Sequence, residues 1–396
     1  MTRSIKKLTI GVIDSWHRLA HEGSGTAVAV SGLCEALQRS GHSVLSFSPE
    51  NPSRFLTLSR LLFNLQVLPR LYATKADILL GIDWDGWLYS QTHRKSHLKS
   101  PFLMTTPYWV CIKGVLADEA RFEKGFTRRF LMFQSHLERL NLRSADGILT
   151  TSLYSRRRIN ELYGISRTKI RVVPEGIDLV LWSKLLKETK SSSQRNGKRG
   201  DKGATIVCVA KQYPRKRISL LLLAVHQLKK EFPKLRLRII GDGPEHSHLA
   251  KLARTLDLES SLLGAIPRTE DVAAEYAKAD LFCLPSAQEG FGIVFLEAMA
   301  AGLPIVAARA AAVPEVVHHG KTGLLFRSDD LADLTRCLRH LISSKDLRIK
   351  MGRAGRQVVR HYDWKHVGKE YLRALRSSTS STSPSPKIRK ASRLGR

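Results

Sequence analysis

The stretch Pro285-Ser-Ala-Gln-Glu289-Gly-Phe-Gly292-Ile-Val-Phe-Leu-Glu297 decides how the rest of the chain is read. Glu289 and Glu297 have seven residues between them and flank a Gly-Phe-Gly turn. Upstream, Asp280 to Pro285 reads as a short buried strand, and downstream Ile293 to Ala301 has helical apolar spacing and good helix formers. The pattern predicts Glu289 in a strand-to-helix loop and Glu297 on the first turns of the helix. Glycines in such a loop let the backbone approach a ligand closely. A helix start points free N–H groups at an anion. Two carboxylates can accept hydrogen bonds from hydroxyls, so the set suits a sugar attached to a phosphate.

Outward from this stretch, strand-like and helix-like segments alternate. Leu8 to Ile13 reads as a first strand rather than a signal peptide. A glycine loop, Gly23-Ser24-Gly25, follows, and then a helix ending at Gly41 and a strand from Ser43 to Phe47. This order is Rossmann-like, but the loop is not a full G-x-G-x-x-G, which argues against a dinucleotide. Leu56 to Leu68 is amphipathic and is expected to cover the first sheet, with a membrane surface as the alternative. Asp77 to Asp83 reads as a strand ending in Asp83-Trp-Asp85, where an acceptor ligand or a structural turn would both fit. Pro101 to Thr106 is expected to be a further strand, and Phe126 to Leu142 a long helix.

Residues 204–360 repeat the alternation and are expected to form a second Rossmann-like domain after a first at 1–182. Between them, Ser183 to Gly203 is polar, carries seven basic and two acidic residues, and reads as a linker or insertion. Residues 361–376 read as a helix, and 377–396 as a disordered basic tail. A chain of 396 residues with 43% hydrophobic content can fill two cores. Five scattered cysteines without a C-x-x-C favour buried thiols over a disulfide framework or zinc site. The net charge of +30 favours anionic partners, and no RRM, bZIP or zinc-finger pattern directs it to nucleic acid.

The motif set resembles the retaining glycosyltransferases of family 4. The resemblance rests on the Glu-x7-Glu stretch in its P-S-x-x-E-G-F-G setting. It extends through Gly302-Leu-Pro-Ile-Val306, Pro314-Glu315 and Gly320-Lys-Thr-Gly-Leu-Leu325. It implies an α/β chain of GT-B architecture: two Rossmann-like parallel-sheet domains facing a cleft, with a C-terminal helix crossing back to the first. It also implies hexose transfer from a nucleoside-diphosphate sugar to an acceptor hydroxyl. By position, Lys211 and Lys216 match the family's basic pair, with lysine replacing arginine at the first; Arg215 or Arg217 would compensate. Glu289 would hold the transferred sugar and Glu297 the ribose. Gly290, Phe291, Gly292, Ile293 and Val294 would offer backbone amides, and Gly241 would border the nucleotide. Gly23, Ser24 and Gly25 would face the diphosphate or the acceptor. A position often held by histidine falls at Pro107, and an asparagine position at Glu175.

No metal and no cofactor beyond the donor co-substrate are expected, because two lysines can hold the diphosphate. The expected partners are the nucleotide-sugar, a saccharide or lipid-linked acceptor and an anionic membrane surface, with no nucleic acid. The expected location is the cytoplasm or the inner face of the membrane. Two rivals fit the same residues: a nucleotide-sugar epimerase on this fold, and a non-catalytic binding protein.

Overall fold

The computed structural model describes residues 7–16, 25–49, 56–95, 106–195 and 203–376. The first sheet holds β1 (Thr9–Ile13), β2 (Ser43–Phe47), β3 (Ile78–Ile82), β4 (Tyr108–Ile112), β5 (Gly147–Thr150) and β6 (Ile170–Val172). Its order is β2-β1-β3-β4-β5-β6, with every pair parallel. The helices threaded through it are α1 (Gly25–Arg39), α2 (Leu56–Gln66), α3 (Leu68–Ala73), α4 (Trp87–Lys95), α5 (Leu116–Glu119), α6 (Gly125–Ser144) and α7 (Leu153–Tyr163). β3 and β4 are buried at every position, which is how a strand covered on both faces reads.

The second sheet has β7 (Thr205–Val209), β8 (Arg236–Ile240), β9 (Leu281–Leu284), β10 (Ile305–Ala308) and β11 (Gly323–Phe326), in the parallel order β11-β10-β9-β7-β8. Its helices begin with α8 (Leu179–Arg195), α9 (Ile218–Lys229), α10 (His246–Thr255) and α11 (Thr269–Lys278). They continue with α12 (Ile293–Ala301), α13 (Val313–Val316), α14 (Leu331–Ser343) and α15 (Lys345–Val358). The last helix, α16 (Trp364–Arg376), returns to the first domain. Its Trp364, Val367, Tyr371 and Leu375 pack with Val30, Leu33 and Leu37 of α1. Both predicted Rossmann-like sheets and the crossing helix are therefore present.

Three expectations change. Residues 183–195 are not a linker: they complete α8, and Trp182, Leu185 and Leu186 enter the core of the second domain. The buried apolar positions are too few for composition to reveal them among lysines and serines, yet they fall on one helical face. The strand expected at 101–106 is β4, which starts at Tyr108; residues 101–105 lie outside the described set. The residue just after that strand is therefore Lys113 rather than Pro107. The predicted tail, 377–396, also lies outside the described residues, as do Gly23 and Ser24. No described helix is long and apolar enough to cross a membrane.

Candidate active site

Parallel sheets present their ligand sites beyond the carboxyl ends of the strands. In the second domain, the turns after β7 and β9 meet there. The turn after β7 becomes a short 3-10 segment, Pro214–Lys216, and Arg215 accepts through its carbonyl from the Ala287 amide at 2.8 Å. That backbone bond fastens the basic loop to the loop carrying Glu289. Lys216 Nζ then lies 2.6 Å from Glu289 Oε1, with Glu289 buried and Lys216 mostly so. Arg215 donates through Nε to Gln288 Oε1 at 3.1 Å and stacks on the Tyr213 ring at 4.9 Å.

Burial alone would raise the Glu289 carboxyl, but Lys216 and Arg215 outweigh it and hold the group below its ordinary value. Glu289 is thus kept ionised. Burial, reinforced by the Arg215 charge, holds Lys216 below its ordinary value despite its carboxylate partner. A carboxylate, an ammonium and a guanidinium are packed together in a site of low dielectric, where each charge acts strongly on its neighbours.

Glu289 leads directly into α12. Gly292 is the N-cap residue at φ +90°, with no side chain capping the helix. Among the described residues, none accepts a hydrogen bond from the amides of 290–294. The mouth of α12 therefore offers several donors beside the charged cluster. Glu297 sits one turn in, half-buried, and accepts from the Tyr276 hydroxyl at 2.8 Å. Burial pushes its carboxyl up to about 7, against the lowering effect of that hydrogen bond. Tyr276 is in turn packed edge-on by Trp182 of α8, the residue just before the segment expected to be a linker, so α8 buttresses this carboxylate. Gly241 follows β8 at φ +127°; a Cβ there would lie 2.0 Å from the Ala210 carbonyl oxygen, so only glycine fits. Lys211 is half-buried at the end of β7, and its ammonium group has no ion pair among the described residues.

The first domain closes directly onto this loop. The Gly290 carbonyl accepts from Thr151 Oγ1 at 3.1 Å, and a Cβ on Gly290 would meet the Lys113 carbonyl oxygen at 2.6 Å. Gln288 Nε2 donates to the buried Asp118 at 3.3 Å, and Arg215 pairs with Glu119 at 3.4 Å. On the other side, Glu315 of α13 accepts from the Leu153 and Tyr154 amides, both at 2.7 Å, capping α7 from across the cleft. Gly25, the first residue of α1, faces Ile293 with 3.3 Å between its would-be Cβ and that side chain.

Asp83 and Asp85 do not form an acceptor site. Asp85 is fully buried and accepts from the Ser15 amide and hydroxyl, Asn64 Nδ2 and Arg60 Nη2. Asp83 accepts from Trp16 Nε1 at 3.0 Å and the Lys113 amide at 2.9 Å. Arg60 is sandwiched between the Trp16 and Trp84 rings, at 4.6 and 4.5 Å. These carboxylates are consumed by the fold. Among the described residues, no group of three or more histidine, cysteine or acidic side chains is arranged to hold a metal ion.

Comparison with known proteins covers most of the chain. A family model described as Glycosyltransferase Family 4 matches residues 23–181, and one described as Glycosyl transferases group 1 matches residues 189–358. The chain belongs to glycosyltransferase family 4.

Family-4 relatives include a GDP-mannose-dependent alpha-(1-6)-phosphatidylinositol monomannoside mannosyltransferase of Mycolicibacterium smegmatis. It is 31% identical over 57% of this chain and 60% of its own. A sulfoquinovosyl transferase of Arabidopsis thaliana is 37% identical over 34% of this chain and 26% of its own. The matched segment thus spans less than two thirds of either relative. Sucrose-phosphate synthase from Thermosynechococcus elongatus shares the fold at a TM-score of 0.77 and 18% identity, covering 94% of this chain and 99% of that one. Anabaena HepE, solved with UDP and glucose, does so at 0.68 and 17%, covering 93% and 100%. These likenesses give the GT-B architecture.

Within this family-4 chain, the structure brings Lys216, Glu289, the α12 mouth and Glu297 together, and adds Arg215 as the second cation beside Glu289. Sequence reasoning missed Asp118, Glu119, Gln288 and Tyr276. Gln288 lies inside the Pro285–Glu297 stretch at an unspecified position and the others stand in no motif; each acts by touching a residue from another element. Glu315 was in view as part of Pro314-Glu315 but carried no role. Lys113 donates to both oxygens of Glu175, at 2.9 and 3.1 Å, and to the Tyr371 hydroxyl at 3.2 Å. Glu175 at the asparagine position is thus matched by a buried lysine that ties β4 to α16.

Proposed function

We propose that this protein transfers a hexose, with retention of configuration, from a nucleoside-diphosphate sugar to an acceptor hydroxyl. The observation that carries the reading is the Lys216–Glu289 pair, 2.6 Å long, beside the uncapped mouth of α12. In such a transfer the bond from the anomeric carbon to the diphosphate oxygen breaks. A bond from the acceptor oxygen forms, and the acceptor proton passes to the departing diphosphate oxygen. Negative charge grows on the departing diphosphate and positive charge on the anomeric carbon. Lys216, Arg215 and the amides of 290–294 face the first, and ionised Glu289 the second. Preoriented groups of this kind act most strongly in the transition state. Lys211 at the end of β7 extends the cationic side. Glu297 would accept from the ribose hydroxyls, and Gly241 lets the chain pass close to the nucleotide.

The acceptor side is read as a lipid-linked or saccharide hydroxyl entering over the first domain. Support for the acceptor comes from the relatives named for phosphatidylinositol monomannoside and sulfoquinovosyl transfer, and support for the donor from neighbours solved with UDP or UDP-glucose. Residues 1–182 would bind the acceptor and 204–360 the donor, without a resident metal. The test is a product assay: donor hydrolysis and transfer measured for the wild type and Glu289→Gln. Transfer lost in a folded variant supports the reading. Transfer retained, or free epimerised sugar without a glycoside, defeats it.

A further inference from the structure

α6 begins against the rules for a stable helix start. Its N-cap residue, Lys124, makes no side-chain cap, and its first turn has no acid. Arg128 and Arg129 instead place cations near the positive end of the helix. Every residue from Lys124 to Arg129 is exposed, and Phe126 is 81% exposed. Phe126, Phe130 and Phe133 recur at helical spacing on one stripe, and the first two rings stack at 5.9 Å. Met132 and Phe133 are also exposed. An uncapped, unsupported first turn carrying bare aromatics and cations marks a place where local stability yields to another requirement.

A second exposed apolar stripe lies on α2. α2 exposes Leu58, Leu62 and Leu65, again at helical spacing. α4 packs against α2, and its Gln91 bonds Leu140 and Ser144 at the C-terminal end of α6, opposite the tip. The short 3-10 segment Ala120–Phe122 joins Glu119, which pairs with Arg215 of the active site, to the start of α6. The α6 tip therefore stands at the mouth of the cleft.

We infer that the α6 tip docks the protein on an anionic bilayer. Phenylalanine side chains enter the headgroup boundary while Lys124, Arg128 and Arg129 meet lipid phosphates. The inference rests on the transferase reading for its acceptor: docking there would bring lipid-linked hydroxyls to the cleft mouth. The chemistry fits lipid, because cations and aromatics are interleaved on an exposed helix tip.

Flotation with phosphatidylcholine vesicles, alone or mixed with phosphatidylglycerol, tests it on the full chain at low salt. The wild type is expected to float with anionic vesicles only. Phe126→Ser with Phe133→Ser should reduce the bound fraction about tenfold, as should Arg128→Glu with Arg129→Glu. Arg128→Lys with Arg129→Lys should bind as the wild type does. All these side chains are on the surface, so thermal melting should be unchanged. Wild-type protein that ignores anionic vesicles, or a serine variant that floats fully, overturns the inference. So does a wild-type dimer that the serine variant dissolves, with no lipid binding. Stabilisation by nucleoside diphosphates is followed in parallel: its persistence in variants that no longer float separates failure of docking from failure of the transferase reading.

Discussion

Two pairs of acids stand beyond the carboxyl ends of parallel strands in this molecule, and they have opposite fates. Asp83 and Asp85 follow β3 in the first domain; Glu289 and Glu297 follow β9 in the second. Around Asp85, Ser15, Asn64 and Arg60 occupy the carboxylate from within the fold. Around Glu289, the partner is a lysine next to open helix amides, and Glu297 has Tyr276 as its only hydrogen-bond donor among the described residues. Position at a strand end selects where ligands bind. Unused hydrogen-bonding capacity selects which acids bind them.

The largest expected effect is in the first pair. Asp85→Ala would leave Arg60 buried without its carboxylate, which typically costs about 3–5 kcal/mol. Chemical denaturation should show that loss, while nucleoside-diphosphate affinity of the folded fraction stays near the wild-type value. Lost affinity with intact stability would reverse the comparison. Next is Glu289→Gln, expected to lower the transfer rate about 100- to 1000-fold with donor affinity less affected. A variant losing stability but not rate would move Glu289 into the structural class.

Glu297 sharpens the contrast through pH. Its folded value of about 7 lies above its ordinary 4.5, so its contribution to stability is full below 4.5 and is lost as pH rises through about 7. Donor binding runs the other way. Ribose hydroxyls need the ionised acceptor, so affinity should fall about tenfold from pH 8 to pH 6. Titrations of the wild type and Glu297→Gln at both values check this; the variant should be weaker and flat. An equal pH slope in the variant would assign the titration to another group.

The smallest effect concerns the seam. Glu315→Gln keeps an acceptor for the α7 amides but loses charge at the helix start, worth about 0.3–1 kcal/mol. The turnover rate should drop a few-fold with donor affinity unchanged, because the hydrogen bonds of the Glu315 carboxylate go to the first domain. A change in donor affinity instead would place Glu315 in the donor site.

Most of the architecture was legible because a parallel sheet buried on both faces writes apolar runs separated by glycine-rich turns. Glu289, Lys216 and Glu297 were legible because they sit in short local motifs. The α8 helix was not, since Ser183, Lys184 and Lys187 face solvent while Trp182, Leu185 and Leu186 are buried in the core. The true state of Asp85 was equally hidden: its partners Ser15, Arg60 and Asn64 come from separate segments that meet only on folding. Arg215 lies between these cases. Its charge was visible, but its seat beside Glu289 depends on Gln288 and on Glu119 across the cleft.

The central claim is that the Lys216–Glu289 cluster and the α12 mouth form one diphosphate site. Calorimetric titration of nucleoside diphosphates into the wild type and Lys216→Met tests it most directly. The account predicts that at least one diphosphate binds the wild type and binds the variant about tenfold or more weakly. Equal affinity in the two proteins, or no diphosphate binding to either, would contradict it.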